Sequence, residues 1–232
     1  MLKGRFLVEG VVIVVSILLA FAIDAGWAER LERREEAEII VGLREEFEEY
    51  RDALMRGIDQ HDRMMAAMFD ILESVRVGEW TSREVTIDEA IGAAMEPPTS
   101  DLGNGVRDAL IQAGRLELVS DPVLRRQLAV WPRYFEELLD DQVLGRSIVI
   151  EEVLPYLASR GLPLSAIMAS VYQGAWPVNS TAIADSPELV ESLLADDRFR
   201  ALIEFRYGYW AHARGEYEAA QEAVEAILLN LN

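Results

Sequence analysis

The chain of 232 residues contains no cysteine, only one lysine and only two histidines. Without cysteine it cannot form disulfides, use a thiol nucleophile or hold an iron–sulfur cluster through thiolates. Its 22 basic residues are outnumbered by 41 acidic residues, which gives a net charge of −19. Because phosphate binding needs clustered lysine and arginine, this balance argues against a nucleic-acid partner.

The usual catalytic motifs are missing as well. Neither His61 nor His212 has a glutamate three residues before it, as a di-iron helical bundle would require. No nucleophile elbow, phosphate-binding loop or His-Glu-x-x-His motif occurs in the sequence. His212 and Glu216 lie one helical turn apart, which keeps a partial metal site open as an alternative. We therefore predict a non-enzymatic protein without catalytic, cofactor-binding or metal-binding residues and without a cofactor.

One long apolar run is present, at residues 6–28. As a helix this run reaches roughly 35 Å, enough to cross a bilayer core of about 30 Å. The basic residues Lys3 and Arg5 and the Ala-Phe-Ala sequence at 20–22 also fit a cleaved signal peptide. The helical pattern continues past this point without turn residues, which favours an uncleaved anchor. We predict an N-terminal tail and transmembrane helix over residues 1–28.

Four residues of this segment are candidates for the membrane interface or for helix packing: Glu9, Ser16, Asp24 and Trp27. Ionisable groups near a bilayer are rare, and tryptophan is typical of the aromatic belt at headgroup depth. The two basic residues of the five-residue tail favour its retention in the cytoplasm, although Arg30, Arg33 and Arg34 on the other side balance the two basic residues and the amino terminus. The expected location is the inner membrane of a bacterium, with the C-terminal domain in the periplasm.

Residues 29–232 are predicted to form an acidic helical domain outside the membrane. Between residues 27 and 76 no proline occurs, and bulky residues recur at intervals of three and four, with one gap near residues 57–58. This heptad seam consists of Ile40, Leu43, Phe47, Tyr50, Leu54, His61, Met65, Met68, Leu72 and Val75. Such a seam forms either a coiled coil between copies of the chain or an antiparallel bundle with later helices of the same chain. The helical stretches 121–160 and 199–229 favour the bundle.

The predicted fold is therefore all-α. One N-terminal transmembrane helix continues into a long heptad-patterned helix, and later helices fold back as an antiparallel helical bundle. The long helix is expected to end near Gly78, and Thr86 and Glu89 to form a capping box that opens a short helix. Pro132 and Pro155 are expected to kink or split the stretch 121–160.

Two segments together resemble a known family. Residues 11–36, VVIVVSILLAFAIDAGWAERLERREE, are an apolar span followed by aspartate, tryptophan and a charged helix. Residues 109–128 are ALIQAGRLELVSDPVLRRQL. The pair is similar to an uncharacterised family of bacterial single-pass membrane proteins, a domain of unknown function. The resemblance implies an anchor and a long helix, and it implies no activity.

The second segment contains a structural motif formed by Gly114, Arg115 and Asp121. Gly114 is suited to end a helix in the left-handed conformation, and Asp121 is suited to start the next helix. Leu116, Leu118 and Val119, which lie between them, are expected to fill the core. Arg115 is expected to pair with a carboxylate on the long helix or to reach carbonyl groups at a helix end.

These observations favour a non-catalytic structural or accessory subunit that docks in a larger membrane assembly such as a respiratory or photosynthetic complex. Its expected partners are membrane lipid and other transmembrane helices or subunits, and homo-oligomers through the anchor stay open. A homodimeric membrane-anchored sensor or signalling stalk is the first alternative. A metal-dependent enzyme with a site near His61 or His212 is the second.

Overall fold

The computed structural model describes residues 2–96, 102–103, 105–171 and 182–231, and the side chains of residues 2–14 and 170–171 lie outside the description. All regular structure in these ranges is helical, so the all-α prediction is confirmed. The helices are α1 (Leu2–Val77), α2 (Ile87–Met95), α3 (Val106–Gln112), α4 (Pro122–Ile148), α5 (Leu154–Ser159), α6 (Leu164–Val171), α7 (Pro187–Leu194) and α8 (Asp197–Asn230).

Local sequence signals set several helix ends. Helix α1 ends at Gly78, whose φ of +86° is accessible to glycine at little cost, and the Gly78 N–H donates to the Ser74 carbonyl at 2.8 Å. The capping box before α2 is confirmed: the Thr86 hydroxyl accepts from the Glu89 N–H, and the Glu89 carboxylate accepts from the Thr86 N–H.

The two prolines act differently from each other. Helix α4 continues through Pro132, which has no N–H to donate to the carbonyl of Leu128. The Arg107 Nε–H donates to that carbonyl at 2.9 Å and satisfies it. Before Pro155 the chain forms a π-helical turn over Val149–Val153. This widened turn accommodates the missing N–H and lets the helical path continue into α5.

The chain divides into two compact units. Unit 1 comprises Met1–Glu48, Asn104–Leu128 and Ile227–Asn232. Its buried apolar residues include Leu43, Phe47, Leu110, Val119, Leu124, Leu128, Ile227 and Leu231. Unit 2 comprises Glu49–Gly103 and Ala129–Ala226. Its core includes Met64, Met68, Ile71, Ile91, Val153, Leu157, Ile167, Leu193, Phe199, Ile203 and Trp210.

The heptad seam of α1 is buried, but its register differs from the prediction beyond residue 57. The buried stripe consists of Leu43, Phe47, Tyr50, Leu54, Gly57, His61, Met64, Met68 and Ile71. The predicted members Met65, Leu72 and Val75 are only half-buried. The fully buried stripe passes through Met64 and Ile71 instead. The intervals of four and three are unbroken because Gly57 fills the position that appeared as a gap in the sequence.

Within unit 2, helix α8 runs antiparallel to α1. Gly57 of α1 faces Tyr217 of α8, and His61, one turn further along α1, also contacts Trp210, which lies earlier on α8. Helix α4 contacts the same face of α8 through Gln142 and Gly145. The interpretation of the seam as part of a bundle within one chain is therefore confirmed for this unit.

Candidate functional site

Helix α1 presents apolar side chains on every face between residues 15 and 23. All nine residues are exposed, and all except Ser16 are apolar. The exposed fraction of the large side chains runs from 50% at Ile17 to 69% at Phe21. Successive helical residues point about 100° apart, so nine of them cover the whole circumference. A helix that is apolar all round is normally buried in a protein core or in a membrane.

Two of the four predicted interface residues, Asp24 and Trp27, follow this stretch on the same helix. Asp24 is exposed, and Trp27 is 66% exposed. Ser16 lies within the stretch, whereas Glu9 and the rest of 6–14 belong to the part of the predicted span whose side chains are not described. Among the side chains that are described, no helix has an apolar stretch long enough to cross a bilayer.

The segment between α3 and α4 lies against α1 within unit 1. Gly114 has a φ of +66°, and Arg115 follows with its N–H donating to the Leu110 carbonyl at 2.9 Å. The Arg115 guanidinium lies 2.5 Å from the Glu35 carboxylate on α1. Asp121 accepts the Val123 N–H at 2.7 Å at the start of α4. Val119 is fully buried, whereas Leu116 and Leu118 are more exposed than the prediction of core positions required.

Glu36 strengthens this attachment. Its carboxylate accepts the Ser120 N–H at 2.7 Å, and hydrogen bonds from the Ser120 side chain and backbone lower the pKa of Glu36 below its usual range. Glu35 and Glu36 come about one helical turn after the exposed Leu31. The segment between α3 and α4 is therefore attached to α1 about two helical turns after residue 29, where charged residues begin to dominate.

A buried carboxylate of unit 1, that of Glu46, lies at the N-terminus of α3. Glu46 is buried, and its Oε2 accepts the Arg107 N–H at 2.9 Å. A Cβ added to Gly105 would overlap the Glu46 carboxylate, so glycine is needed for this approach. The negative charge of Glu46 thus lies at the N-terminus of α3, the positive end of the helix dipole.

The most deeply buried charge lies in unit 2. Arg206 of α8 is fully buried; its Nε–H donates to the Ala94 carbonyl at 2.7 Å and its Nη1–H to the Gly145 carbonyl at 3.2 Å. Its guanidinium lies 5.5 Å from the centre of the Trp210 ring. Burial lowers the pKa of Arg206 to about 10, so the group remains charged at neutral pH. The carbonyl groups and the indole face stabilise that charge.

His61 lies in the same core. The Gly57 carbonyl accepts from His61 Nδ1 at 2.8 Å, which assigns the proton of the neutral ring to Nδ1. Nε2 is buried and has no hydrogen-bond partner within the described residues. Burial lowers the pKa of His61 below its usual range, because a protonated Nε2 would carry a buried N–H without an acceptor. In the described part of the chain no three side chains are grouped to hold a metal ion.

Since His61 is kept neutral in the folded state, the unfolded state binds more protons below pH 6.5. We expect the contribution of His61 to the free energy of unfolding to decrease as pH falls below about 6.5, and we expect His61→Gln to lose this pH dependence. Urea unfolding at several pH values checks it. The matched variant His212→Gln, whose side chain is 70% exposed, should retain the His61 component. An identical acid response in both variants would contradict the assignment.

No family model, curated protein or solved structure matches the chain. The resemblance of residues 11–36 and 109–128 to an uncharacterised family of bacterial single-pass membrane proteins stays a prediction.

Proposed function

We propose that this protein is a non-catalytic accessory subunit that is anchored in a membrane by the start of α1 and docks in a larger membrane assembly. The supporting observation is the stretch 15–23, which is apolar on every face and exposed on every face. Exposing apolar surface to water costs about 25 cal/mol per Å². A stretch of this kind needs lipid or other helices around it.

The neighbouring sequence favours lipid over a water-soluble protein as the surroundings of residues 15–23. Residues 6–14 extend the apolar run upstream, and charged residues begin at Asp24 and dominate from residue 29. Trp27 lies at this transition, where the aromatic belt of a membrane protein is expected. In this proposal the anchor spans a bacterial inner membrane once, and the acidic domain 29–232 lies in the periplasm.

The way in which the buried charged groups are used supports a structural role. Both carboxylate oxygens of Asp88 accept backbone N–H groups, from Ile183 at 2.8 Å and from Ala184 at 2.9 Å. Arg206 and Arg107 donate to backbone carbonyl groups in the same manner. These charges therefore join helices and connections that are distant in sequence. The excess of acidic residues suits a partner with a basic surface.

Membrane attachment is tested by placing charges in the apolar stretch. We expect the full-length protein to stay with membranes after an alkaline carbonate wash and the double variant Ile17→Arg, Phe21→Arg to appear in the aqueous fraction. Each arginine near the centre of a spanning helix costs about 2.5–3.5 kcal/mol of insertion free energy. The control Leu229→Arg changes a side chain that is 75% exposed at the other end of the sequence and should leave the distribution unchanged. Release of the unmodified protein by the wash would contradict the proposal.

Extraction in a mild detergent then distinguishes the kinds of partner. A membrane complex that contains this chain in fixed stoichiometry with other subunits supports the accessory role. A homodimer without other subunits would favour the sensor or signalling stalk instead. Release of an unassociated monomer would contradict docking in a larger assembly while leaving the anchor intact.

A further inference from the structure

Helix α4 uses one face for packing within unit 2. The Gln142 side-chain amide donates to the Tyr217 hydroxyl oxygen at 3.1 Å, and Gly145 lies against Trp210. A surface helix needs only one such face, and charged residues normally cover the rest of it. The packed face consists of four buried residues that are four, three and four positions apart: Leu138, Gln142, Gly145 and Val149.

A second face of the same helical path, one residue further along, is apolar and exposed. This exposed stripe consists of Leu139, Val143 and Ile150, whose exposed fractions are 39%, 64% and 56%. At about 100° per residue these side chains fall within roughly 60° of one another around the helix. Leu144, which follows Val143, is 50% exposed and adds to the apolar surface. Single exposed apolar residues are common, but a patch of several normally marks a site of interaction.

The exposed stripe has an acidic rim. The rim consists of Glu136, Asp140 and Glu151, which are exposed and lie on one side of the stripe. Arg146 lies at the opposite border, so the face as a whole is negatively charged. Within the described residues none of the three rim carboxylates forms an ion pair. They are therefore available to basic side chains of another molecule.

We propose that the exposed stripe of α4 is a docking surface for a basic amphipathic helix of a partner subunit. The apolar side chains of the partner helix cover the stripe, and its lysine or arginine side chains face the acidic rim. The inference rests on the proposed docking in a membrane assembly. It adds the surface that docks and the chemistry of the partner.

The charge of the acidic rim selects this partner over two other occupants. Two copies of the chain that met through the exposed stripe would bring two acidic rims together, with only Arg146 of each copy to oppose them. An anionic bilayer surface would meet the same repulsion. A basic helix is attracted by the rim, and the net charge of −19 on the whole chain adds to that attraction at longer range.

Binding of a designed peptide to the full-length protein tests the proposal. The protein is held in nanodiscs of neutral phosphatidylcholine, and empty nanodiscs give the background. The probe is a labelled helical peptide of three heptads with leucine at positions a and d and lysine at positions e and g. Fluorescence anisotropy measures its affinity. We expect the peptide to bind, and we expect the same peptide with glutamate in place of lysine not to bind.

The apolar contribution is measured with one substitution at two sites. Val143→Asp should weaken binding of the lysine peptide by about tenfold or more, because it places a charge in the centre of the exposed stripe. Val77→Asp makes the same change at a valine of α1 that is 47% exposed, and it should alter the affinity by less than about twofold. Circular dichroism checks that both variants are folded.

The charge contribution is measured with two double variants. Glu136→Gln with Asp140→Asn should weaken binding by about threefold to tenfold and reduce its dependence on salt. Glu222→Gln with Glu225→Gln removes the same charge from exposed positions of α8 and should change the affinity by less than about twofold. This pair keeps the test decisive if Val143→Asp does not fold.

Several results would overturn the proposal. These are absence of peptide binding, equal losses in Val143→Asp and Val77→Asp, and equal losses in the two double variants. A dimer in nanodiscs that Val143→Asp separates into monomers would identify a second copy as the occupant instead. Failure of the proposed function is seen separately, as release of the chain by the carbonate wash, and peptide binding is then measured in aqueous solution.

Discussion

Replacing Trp210 with alanine is expected to lower the free energy of unfolding of unit 2 by about 3–5 kcal/mol. Trp210 is fully buried, and its six-membered ring lies so close to Gly145 that a Cβ there would be 2.5 Å from Cη2. The His61 ring packs against it edge-on, with 5.2 Å between the centroids. Alanine would leave a cavity among three helices and would also remove the aromatic face that stabilises the Arg206 charge.

Denaturant unfolding followed by circular dichroism measures this effect. The matched control is Trp27→Ala, because Trp27 is 66% exposed and lies outside unit 2. Its effect on the unfolding transition should be within about 0.5 kcal/mol. A loss of less than about 1 kcal/mol on replacing Trp210 would mean that the side chain is not enclosed between α1, α4 and α8.

Much of the helical framework was predictable because the signals are local. The end of α1 at Gly78, the capping box at Thr86 and the start of α4 after Asp121 each depend on a few adjacent residues. The apolar periodicity of α1 predicted the buried stripe up to Leu54. Such features are set by backbone geometry and by hydrogen bonds within one turn, which a sequence displays directly.

The buried polar groups were not predictable in the same way. Arg206 is charged, and charged residues are rarely fully buried, so its residue type alone predicts a surface position. It is buried because the carbonyl groups of Ala94 and Gly145, which are distant in sequence, lie within its reach. A weak sequence signal did exist at Gly145, a glycine in the interior of a helix, which often marks close packing.

Gly57 shows how one such long-range contact changes the interpretation of a pattern. The sequence alone shows a gap in the heptad seam at residues 57–58 and predicts Met65 in the seam, whereas Met64 is the buried residue. The gap is filled by Tyr217, whose ring would overlap a Cβ on Gly57. The small residue is therefore a member of the stripe, and its missing side chain is supplied by α8.

Gly57→Ala is accordingly expected to destabilise unit 2 by about 1–3 kcal/mol, the usual cost of overpacking a core. Tyr217 has little room to move away, because it is fully buried, its hydroxyl lies 3.1 Å from Gln142 Nε2 and its ring packs against His61 with 4.6 Å between the centroids. The clash outweighs the gain of about 1 kcal/mol that alanine brings over glycine inside a helix. Urea unfolding of both proteins measures the difference.

Gly208→Ala provides the matched control for Gly57→Ala. Gly208 lies within α8 and is exposed, and a Cβ added to it would meet no atom within 4 Å, so only the helix propensity changes. We expect this variant to be more stable than the unmodified protein by up to about 1 kcal/mol. The same glycine-to-alanine change thus has opposite signs on two helices of one unit. If both variants were stabilised equally, Tyr217 would not occupy the position opposite Gly57, and the antiparallel register of α1 and α8 would have to shift.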